Sequence, residues 1–300
     1  MPTPGTEAGA SLRLAARAKI NLYLHVVGRR ADGYHLLDSL IAFAEFGDWL
    51  TLAAADGLEL SLRGPGAAAL EQSLPAPEEN LVLRAAEMLR RAGGRRGAAL
   101  ALEKHLPTAA GIGGGSSDAA AALVGLARLW RLDIAADELA RLGLGLGADV
   151  PACLGQPAPV FAGGIGEALA PAPRLPPAGL LLVNPGIALP TPAVFRVRAG
   201  GWSRPARFEE APGDAARLAG LLAERRNDLE PAAISLVPEI GRVLAALRVL
   251  PGALLARMSG SGATCFGLFA DRAAAAAAAA ELAGAEPAWW LRATALAVSD

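Results

Sequence analysis

A glycine-rich segment, PTAAGIGGGSSDAAAA, constrains this chain more than any other feature of its sequence. Small residues fill positions 108–115 except at Ile112, so backbone N–H groups can approach a ligand without obstruction by Cβ atoms. Ser116, Ser117 and a run of helix formers follow, which adds unpaired amide donors and the positive end of a helix dipole. The segment predicts a phosphate-binding loop; a mobile hinge or a tight crossing from strand to helix is the alternative.

The loop does not match the common nucleotide-binding motifs. No lysine follows the last glycine as in GxxxxGK[ST], and the HRD and DFG motifs of protein kinases do not occur in the chain. No acidic residue about 20 positions further on is placed to bind a dinucleotide ribose. A different class of nucleotide-binding protein is therefore indicated.

Charge and composition limit the partners and the compartment. The formal net charge is −1, and the 28 Lys and Arg residues are spread along the chain, which argues against a nucleic-acid partner. The N-terminal sequence has no leader pattern and no long apolar run occurs, so we expect a cytoplasmic protein without a membrane partner. Cys153 and Cys265 form no metal-binding or disulfide pattern and are expected to be packing residues.

The pattern of polar and apolar residues predicts an α+β protein. Asn80 stands at a cap position before LVLRAAEMLRR, and Gly93 and Gly94 follow, so residues 81–92 are predicted to be a helix. Other helices are predicted at residues 136–142, 215–225, 238–250 and around the alanine run 273–280. Strands are predicted at residues 12–27 with a pause at 15–19, and at 39–44, 49–53, 58–62, 98–104, 180–183, 253–257, 264–269 and 290–297. At 300 residues, two domains are expected, 1–157 and 158–300, joined near the Gly- and Pro-rich residues 155–166.

Two further segments accompany the glycine loop. AKINL precedes GYH near the N-terminus, and MSGSGA forms a glycine turn near the C-terminus. In order and spacing, these blocks resemble the GHMP small-molecule kinases over almost the whole chain. The resemblance implies ATP and Mg²⁺ as cofactors and a two-domain fold, with an N-terminal ribosomal-protein-S5-domain-2-like half and a C-terminal ferredoxin-like half.

The resemblance also implies catalytic roles for two residues. Asp149, in LGADVP, matches the aspartate that acts as general base for the substrate hydroxyl, and Lys19 matches the lysine beside that aspartate. Such a lysine would keep the carboxylate ionised. The alternative for Asp149 is a cap of a short helix beginning at Val150, and the two roles are compatible.

Within the family, the resemblance is to members whose small-molecule substrate carries a cytidine diphosphate group. Tyr34 and Phe195 would stack on the base, His35 would bind its edge, and Asn21 and Asp149 would contact the sugar-alcohol part. The DGYH segment favours this substrate over homoserine, mevalonate derivatives or sugars, which have no base. Another kinase of the family, or a catalytically silent nucleotide-binding homologue, is the alternative.

The remaining predicted site residues contact the nucleotide. Asn80 and Lys104 fall near the adenine in the family, although a helix cap and a charge at a strand end would also explain them. The loop residues expected to bind the phosphates are Pro107, Ala109, Ala110, Gly111, Ile112, Gly113, Gly114, Gly115, Ser116 and Ser117. Ser116 is also the candidate Mg²⁺ ligand, and the 259–262 turn is expected to support the loop. A monomer or weak homodimer is expected.

Overall fold

The computed structural model describes residues 11–74, 76–93 and 97–298. The strands in these residues are β1 (Leu12–Arg29), β2 (His35–Ala55), β3 (Leu58–Arg63), β4 (Gly97–Glu103), β5 (Val160–Gly163), β6 (Ala168–Pro171), β7 (Gly179–Asn184), β8 (Leu255–Met258), β9 (Cys265–Phe269) and β10 (Trp290–Ala295). The α-helices are α1 (Ala67–Ser73), α2 (Leu81–Arg91), α3 (Gly114–Leu129), α4 (Ala136–Leu146), α5 (Val150–Leu154), α6 (Thr191–Val197), α7 (Ala215–Ala223), α8 (Glu230–Leu236), α9 (Glu239–Val249) and α10 (Arg272–Ala285).

The first two strands differ from their sequence prediction. β1 is continuous, so the pause predicted at residues 15–19 is wrong, and β2 is one strand where two were predicted. Ala16, Ala18 and Ile20 of β1 are completely buried. Burial in a sheet overrides the low strand propensity of alanine, because strand preference depends on packing more than on the backbone. The short helices α1, α6 and α8 were not predicted.

The other predicted elements agree with the structure to within a few residues. Helix α2 begins after Asn80, whose Oδ1 accepts a hydrogen bond from Val82 N at 2.9 Å, and this confirms the predicted cap. Gly94, predicted as part of its stop signal, lies outside the described residues, as does most of the N-terminal sequence in which no leader was found. Helix α4 extends to Leu146, one turn beyond its predicted end.

The described residues divide into two compact units. The first unit consists of the described residues up to Ala16, from Gly47 to Leu106 and from Gly115 to Leu154. The second unit consists of the described residues from Arg17 to Phe46, from Pro107 to Gly114 and from Gly155 onward. The domain boundary predicted after residue 157 stays a prediction.

In the first unit, helices pack on a small mixed sheet. β4 pairs in parallel with β3 and antiparallel with the second half of β2, where Trp49 lies opposite Glu103 and Ala55 opposite Gly97. Helix α3 lies close to this sheet, because a Cβ at Gly125 would come within 2.7 Å of Leu52 Cδ1. The sheet and α3 therefore fix where the chain enters and leaves the glycine-rich loop.

In the second unit, a four-stranded antiparallel sheet has the order β10-β7-β9-β8. Helix α10 buries Ala275, Ala278 and Leu282 in the core beside this sheet, so the alanine run acts as a helix with a thin packing face. The first half of β2 pairs with β5, and β5 pairs with β6. The turn between β8 and β9 is the glycine turn identified in the sequence.

Candidate active site

Two polar side chains of β1, Lys19 and Asn21, are buried in the second unit with 4% exposure each. They are two positions apart in a strand, so their side chains lie on the same face. Lys19 Nζ donates to Asn21 Oδ1 at 2.9 Å, and Asn21 Nδ2 donates to Ser39 Oγ at 2.8 Å. Among the described residues, Oδ1 and Nδ2 of Asn21 thus have one of these partners each, and each atom retains capacity for one further hydrogen bond.

The sign of the backbone angle φ alternates along the glycine-rich loop. Ala109, Gly111 and Gly113 have φ values of +50°, +74° and +63°, whereas the residues between them have none in the positive region. Alternation of left- and right-handed residues turns successive N–H groups into a concave nest that binds anions. Ala109 occupies a region that non-glycine residues rarely adopt, which indicates that the surrounding structure imposes this shape.

The carbonyl groups of the loop face its protein support. Three successive carbonyl oxygens accept hydrogen bonds: Ala110 O from Thr264 N at 3.1 Å, Gly111 O from Ser259 Oγ at 3.1 Å, and Ile112 O from Lys19 N at 2.9 Å. In a trans peptide the C=O group and the next N–H group point in opposite directions. The N–H groups of residues 111–113 therefore point away from this support, an orientation compatible with the predicted phosphate binding.

The turn between β8 and β9 packs directly against the loop. A Cβ at Gly111 would lie 2.5 Å from Gly262 O and 2.8 Å from Ser259 O, closer than real Cβ contacts allow. Ser259 Oγ donates to Gly111 O and accepts a hydrogen bond from Asn21 N at 3.1 Å. One buried hydroxyl thus links the turn, the loop and β1, which agrees with the supporting role expected of the turn.

The buried side chain of Asn227 hydrogen-bonds to this turn, and this role was not predicted from the sequence. Its Nδ2 donates to Met258 O and Gly260 O, both at 2.8 Å, while its Oδ1 accepts from Leu229 N at 2.9 Å. In the sequence Asn227 is indistinguishable from an ordinary helix cap before a run of helix formers. Its partners lie about 30 residues away, so only the fold reveals them.

The predicted base-binding residues lie at the hairpin between β1 and β2 and on α6. Tyr34 is 60% exposed, and the His35 ring stacks on Phe195 with centroids 5.0 Å apart and an interplanar angle of 26°. Trp202, which the sequence analysis did not single out, lies 6.2 Å from His35 and is 53% exposed. His35, Phe195 and Trp202 thus form a ring cluster in the second unit, and Tyr34 precedes His35 in the chain as an exposed aromatic residue.

His35 is affected by burial and by two nearby arginines. Burial, together with the guanidinium groups of Arg29 and Arg198, lowers the pKa of His35 below its usual value. Its imidazole is therefore neutral at pH 7 and has both a donor and an acceptor for hydrogen bonding. A neutral ring is suited to binding the mixed donor and acceptor edge of a base.

Asp149 belongs to the first unit and lies at the start of a short helix. It directly precedes α5, is half-buried, and its carbonyl oxygen accepts a hydrogen bond from Cys153 N at 3.2 Å. The helix suggested by the alternative interpretation of Asp149 is therefore present, with Pro151 in its first turn. That position is compatible with the predicted catalytic role, which stays a prediction.

Asn80 and Lys104, the two predicted adenine contacts, have structural partners in the first unit. Asn80 caps α2, as predicted. Lys104 directly follows β4, so it is the charge at a strand end that the alternative describes. Its Nζ is buried between Asp48 and Asp118, with Asp118 Oδ2 at 2.9 Å. Nucleotide binding by either residue stays a prediction.

The two serines after the glycines are in different environments. Ser117 is completely buried, and its Oγ donates to Cys153 Sγ at 3.3 Å, whereas Ser116 is half-buried on the first turn of α3. Among the described residues, no group of three or more His, Cys, Asp or Glu side chains could hold a metal ion. An oxygen donor such as Ser116 suits Mg²⁺, which commonly takes one or two protein ligands together with waters and substrate phosphates.

Comparison with known proteins identifies the family. Residues 80–156 match the N-terminal domain of GHMP kinases, and residues 208–287 match the GHMP kinase C-terminal region. The chain belongs to the GHMP kinase family, and its predicted α+β fold with two domains is confirmed.

Individual relatives narrow the comparison. The 4-diphosphocytidyl-2-C-methyl-D-erythritol kinase of Paramagnetospirillum magneticum is 54% identical over 282 residues, which cover 94% of this chain and 97% of that protein. A crystal structure of 4-(cytidine 5'-diphospho)-2C-methyl-D-erythritol kinase has a TM-score of 0.75 at 36% identity and covers 96% of this chain and 100% of that one. L. major mevalonate kinase, with a TM-score of 0.70 at 15% identity and coverage of 100% and 99%, shares the fold.

No helix among the described residues combines the length and the apolar character needed to cross a membrane.

Proposed function

We propose that this protein transfers the γ-phosphoryl group of ATP to the 2-hydroxyl group of 4-diphosphocytidyl-2-C-methyl-D-erythritol, a step of the non-mevalonate route to isoprenoids. The main support for a phosphoryl transferase is the loop at residues 109–113, in which the N–H groups of residues 111–113 point away from the groups that bind the loop carbonyl oxygens. The main support for this substrate is the 54% identity, over 94% of the chain, to a kinase of that name.

The nest and the start of α3 supply the phosphate-binding part of the mechanism. Phosphoryl transfer requires a held triphosphate, compensation of developing charge and an alcohol aligned with the breaking bond. In the proposal, the N–H groups of residues 111–113 bind β- and γ-phosphate oxygens, and the α3 dipole adds positive potential at its N-terminus. These donors are already oriented before ATP arrives, so binding needs little rearrangement.

In the proposed mechanism, Asp149 and Lys19 provide acid–base catalysis. In the proposal, the 2-hydroxyl proton passes to the Asp149 carboxylate while the oxygen attacks the γ-phosphorus and ADP leaves. The ammonium of Lys19 keeps that carboxylate ionised and offsets charge on the transferring group. Burial of Lys19 beside Asn21 supports this role, since a buried ammonium is costly unless it serves a partner or a ligand.

Mg²⁺ is the expected second cofactor, and the family resemblance is its main basis. Ser116, at the first turn of α3, is the residue that would hold it, together with phosphate oxygens of ATP. When bound, the ion would neutralise charge on the β- and γ-phosphate oxygens. Ser117 is less suited, because its hydroxyl is buried against Cys153.

The rings around His35 supply base recognition. Tyr34 and Phe195 would stack on the cytosine, and neutral His35 would bind its edge, while Asn21 and Asp149 contact the sugar alcohol. The open face of Tyr34 supports this assignment. The stacking of His35 on Phe195 shows that the two side chains belong to one aromatic cluster.

The proposal is tested by measuring ADP release with Mg-ATP and four acceptors: 4-diphosphocytidyl-2-C-methyl-D-erythritol, homoserine, phosphomevalonate and galactose. Selective turnover of the cytidylyl compound is expected. Turnover of another acceptor would support the kinase reaction but contradict the proposed substrate. Absence of turnover with every acceptor would favour a nucleotide-binding homologue without catalysis.

Removal of the Tyr34 ring is expected to weaken binding of the acceptor and to leave binding of ATP unchanged. Stacking of a base on an aromatic ring contributes about 1–3 kcal/mol, so Tyr34→Ala should raise KM for the cytidylyl substrate by roughly 5- to 150-fold. KM for ATP should stay within about twofold. Steady-state kinetics with each substrate varied in turn measures both constants.

Tyr34→Phe is the matched control, because it keeps the ring and removes only the hydroxyl group. Its KM for the acceptor is expected to equal that of the unsubstituted protein. Equal effects of the two substitutions would show that the ring does not stack on the base.

A further inference from the structure

The buried amide group of Asn227 makes three hydrogen bonds in the second unit, all of them to backbone groups. Two run from Nδ2 to carbonyl oxygens of the turn between β8 and β9, and the third runs from Leu229 N to Oδ1. Asparagine is the only side chain of this length that offers two N–H donors together with a carbonyl acceptor. The pattern of partners therefore requires this residue type.

The backbone of Asn227 is attached to β1, the strand that carries Lys19 and Asn21. Leu24 N donates to Arg226 O at 3.0 Å, and Asp228 N donates to Leu24 O at 2.8 Å. These bonds hold the peptide groups on both sides of Asn227. The side chain thus starts from a fixed position when it reaches the turn.

The two carbonyl groups that Asn227 binds, Met258 O and Gly260 O, lie on either side of Ser259 in the chain. Gly260 has a φ of +56°, in the left-handed region. Glycine adopts many backbone conformations at similar energy, so the shape of this turn depends on the groups that bind it. Asn227 therefore fixes the orientation of Ser259 within the turn.

The turn in turn fixes one peptide group of the glycine-rich loop. Ser259 Oγ donates to Gly111 O at 3.1 Å, and a Cβ at Gly260 would lie 2.8 Å from the same oxygen. The N–H group of Ile112 belongs to this peptide and points the opposite way. A shift of the turn therefore displaces a backbone donor that is predicted to bind phosphate.

We propose, on the basis of the proposed kinase function, that Asn227 is a positioning residue for phosphate binding. It acts through the turn, which holds the peptide between Gly111 and Ile112 with its N–H directed toward the nucleotide. Groups that bind a ligand must be held to within about 0.5 Å by the residues that support them. Loss of the two bonds from Asn227 to the turn weakens nucleotide binding without removing any group that contacts the nucleotide.

The test is Asn227→Asp, which keeps the shape of the side chain and the acceptor for Leu229 N. It replaces the Nδ2 donor by a carboxylate oxygen, which repels the carbonyl oxygens of Met258 and Gly260. The dissociation constant of ADP, measured by calorimetry, should rise roughly 2- to 30-fold. The same titration gives the number of binding sites per chain, which measures the folded fraction.

Asn184→Asp is the matched control, because Asn184 is another buried asparagine of the second unit. Its Oδ1 accepts from Gly186 N at 2.8 Å, and its Nδ2 donates to Thr264 Oγ1 at 2.9 Å. The hydroxyl group of Thr264 can rotate and donate to a carboxylate, which a carbonyl group cannot do. Both substitutions bury a carboxylate, but only Asn227→Asp repels the turn, so the control should bind ADP with its native affinity.

A merely structural role of Asn227 would reduce the number of ADP sites per chain and leave the dissociation constant of the folded molecules unchanged. That result, or equal weakening of ADP binding by the two substitutions, would overturn the proposal. Failure of the unsubstituted protein to bind ADP would contradict the proposed function as well. Failure of every alcohol to react with the ADP affinities as expected would contradict the proposed function alone.

Should Asn227→Asp not be recovered as a folded protein, Asn227→Ser serves as the second variant, with Asn184→Ser as its control. Serine offers one hydroxyl donor on a shorter side chain where two carbonyl groups need partners. Weaker binding of ADP by the folded Asn227→Ser molecules is expected, with native affinity in the control. Unchanged affinity in both would overturn the proposal.

Discussion

Replacement of Asp149 by asparagine is expected to lower kcat by about a hundred- to ten-thousandfold, the usual contribution of a general base. Asparagine has nearly the shape of aspartate but cannot accept the proton of the substrate hydroxyl. The start of α5 should persist, because the backbone hydrogen bond from Cys153 N to Asp149 O does not use the side chain. Single-turnover phosphoryl transfer measures the loss directly.

Asp137→Asn is the matched control for this experiment. Asp137 is an exposed carboxylate in the first turn of α4, outside the proposed machinery. It should leave kcat unchanged, and both variants should keep their circular dichroism and their affinity for ADP. A folded Asp149→Asn protein with normal turnover would remove Asp149 from the mechanism.

Introduction of a single methyl group at Gly111 is expected to disrupt the predicted phosphate-binding loop. The new Cβ would lie 2.5 Å from Gly262 O, and the backbone has φ +74°, which alanine adopts only with strain. Left-handed strain costs about 1–2 kcal/mol and overpacking about 1–3 kcal/mol, so Gly111→Ala should lower the free energy of unfolding by about 2–5 kcal/mol. KM for ATP should rise as well, because the loop must move off the glycine turn.

Gly252→Ala is the control that separates backbone strain from steric overlap as causes of the destabilisation. Gly252 has nearly the same backbone angle, φ +75°, but nothing lies within 4 Å of the position of its Cβ. This variant should lose only the strain component, about 1–2 kcal/mol, and should keep its KM for ATP. Urea denaturation and steady-state kinetics on both proteins measure these quantities. Equal destabilisation by the two substitutions would show that contact with Gly262 is unimportant.

Much of the fold was predictable because its signals are local. The cap at Asn80, the alanine helix and the positions of most strands along the chain depend on residues that are close in sequence. The continuity of β1 was not predictable in this way. Its alanines favour a break when considered alone, and only burial in a sheet keeps them extended.

The residues of the candidate site likewise divide into those with a local sequence signal and those without one. Lys19, Asn21 and the glycine loop carried a sequence signal, and the structure brings these three together in the second unit. Asn227 and Trp202 carried none, because their neighbours are far away in the chain. The structure likewise gives the ammonium of Lys104 two carboxylate partners that its position after a strand did not suggest.

The sequence by itself predicted a phosphate-binding loop, because glycine content and a following helix act locally on backbone geometry. It also determined the family, through motifs that keep their order along the chain. Only the tertiary structure decided which way the loop faces, since that depends on hydrogen bonds from Thr264, Ser259 and Lys19 to its carbonyl groups. Such bonds join residues distant in sequence, and their geometry exists only once the chain has folded.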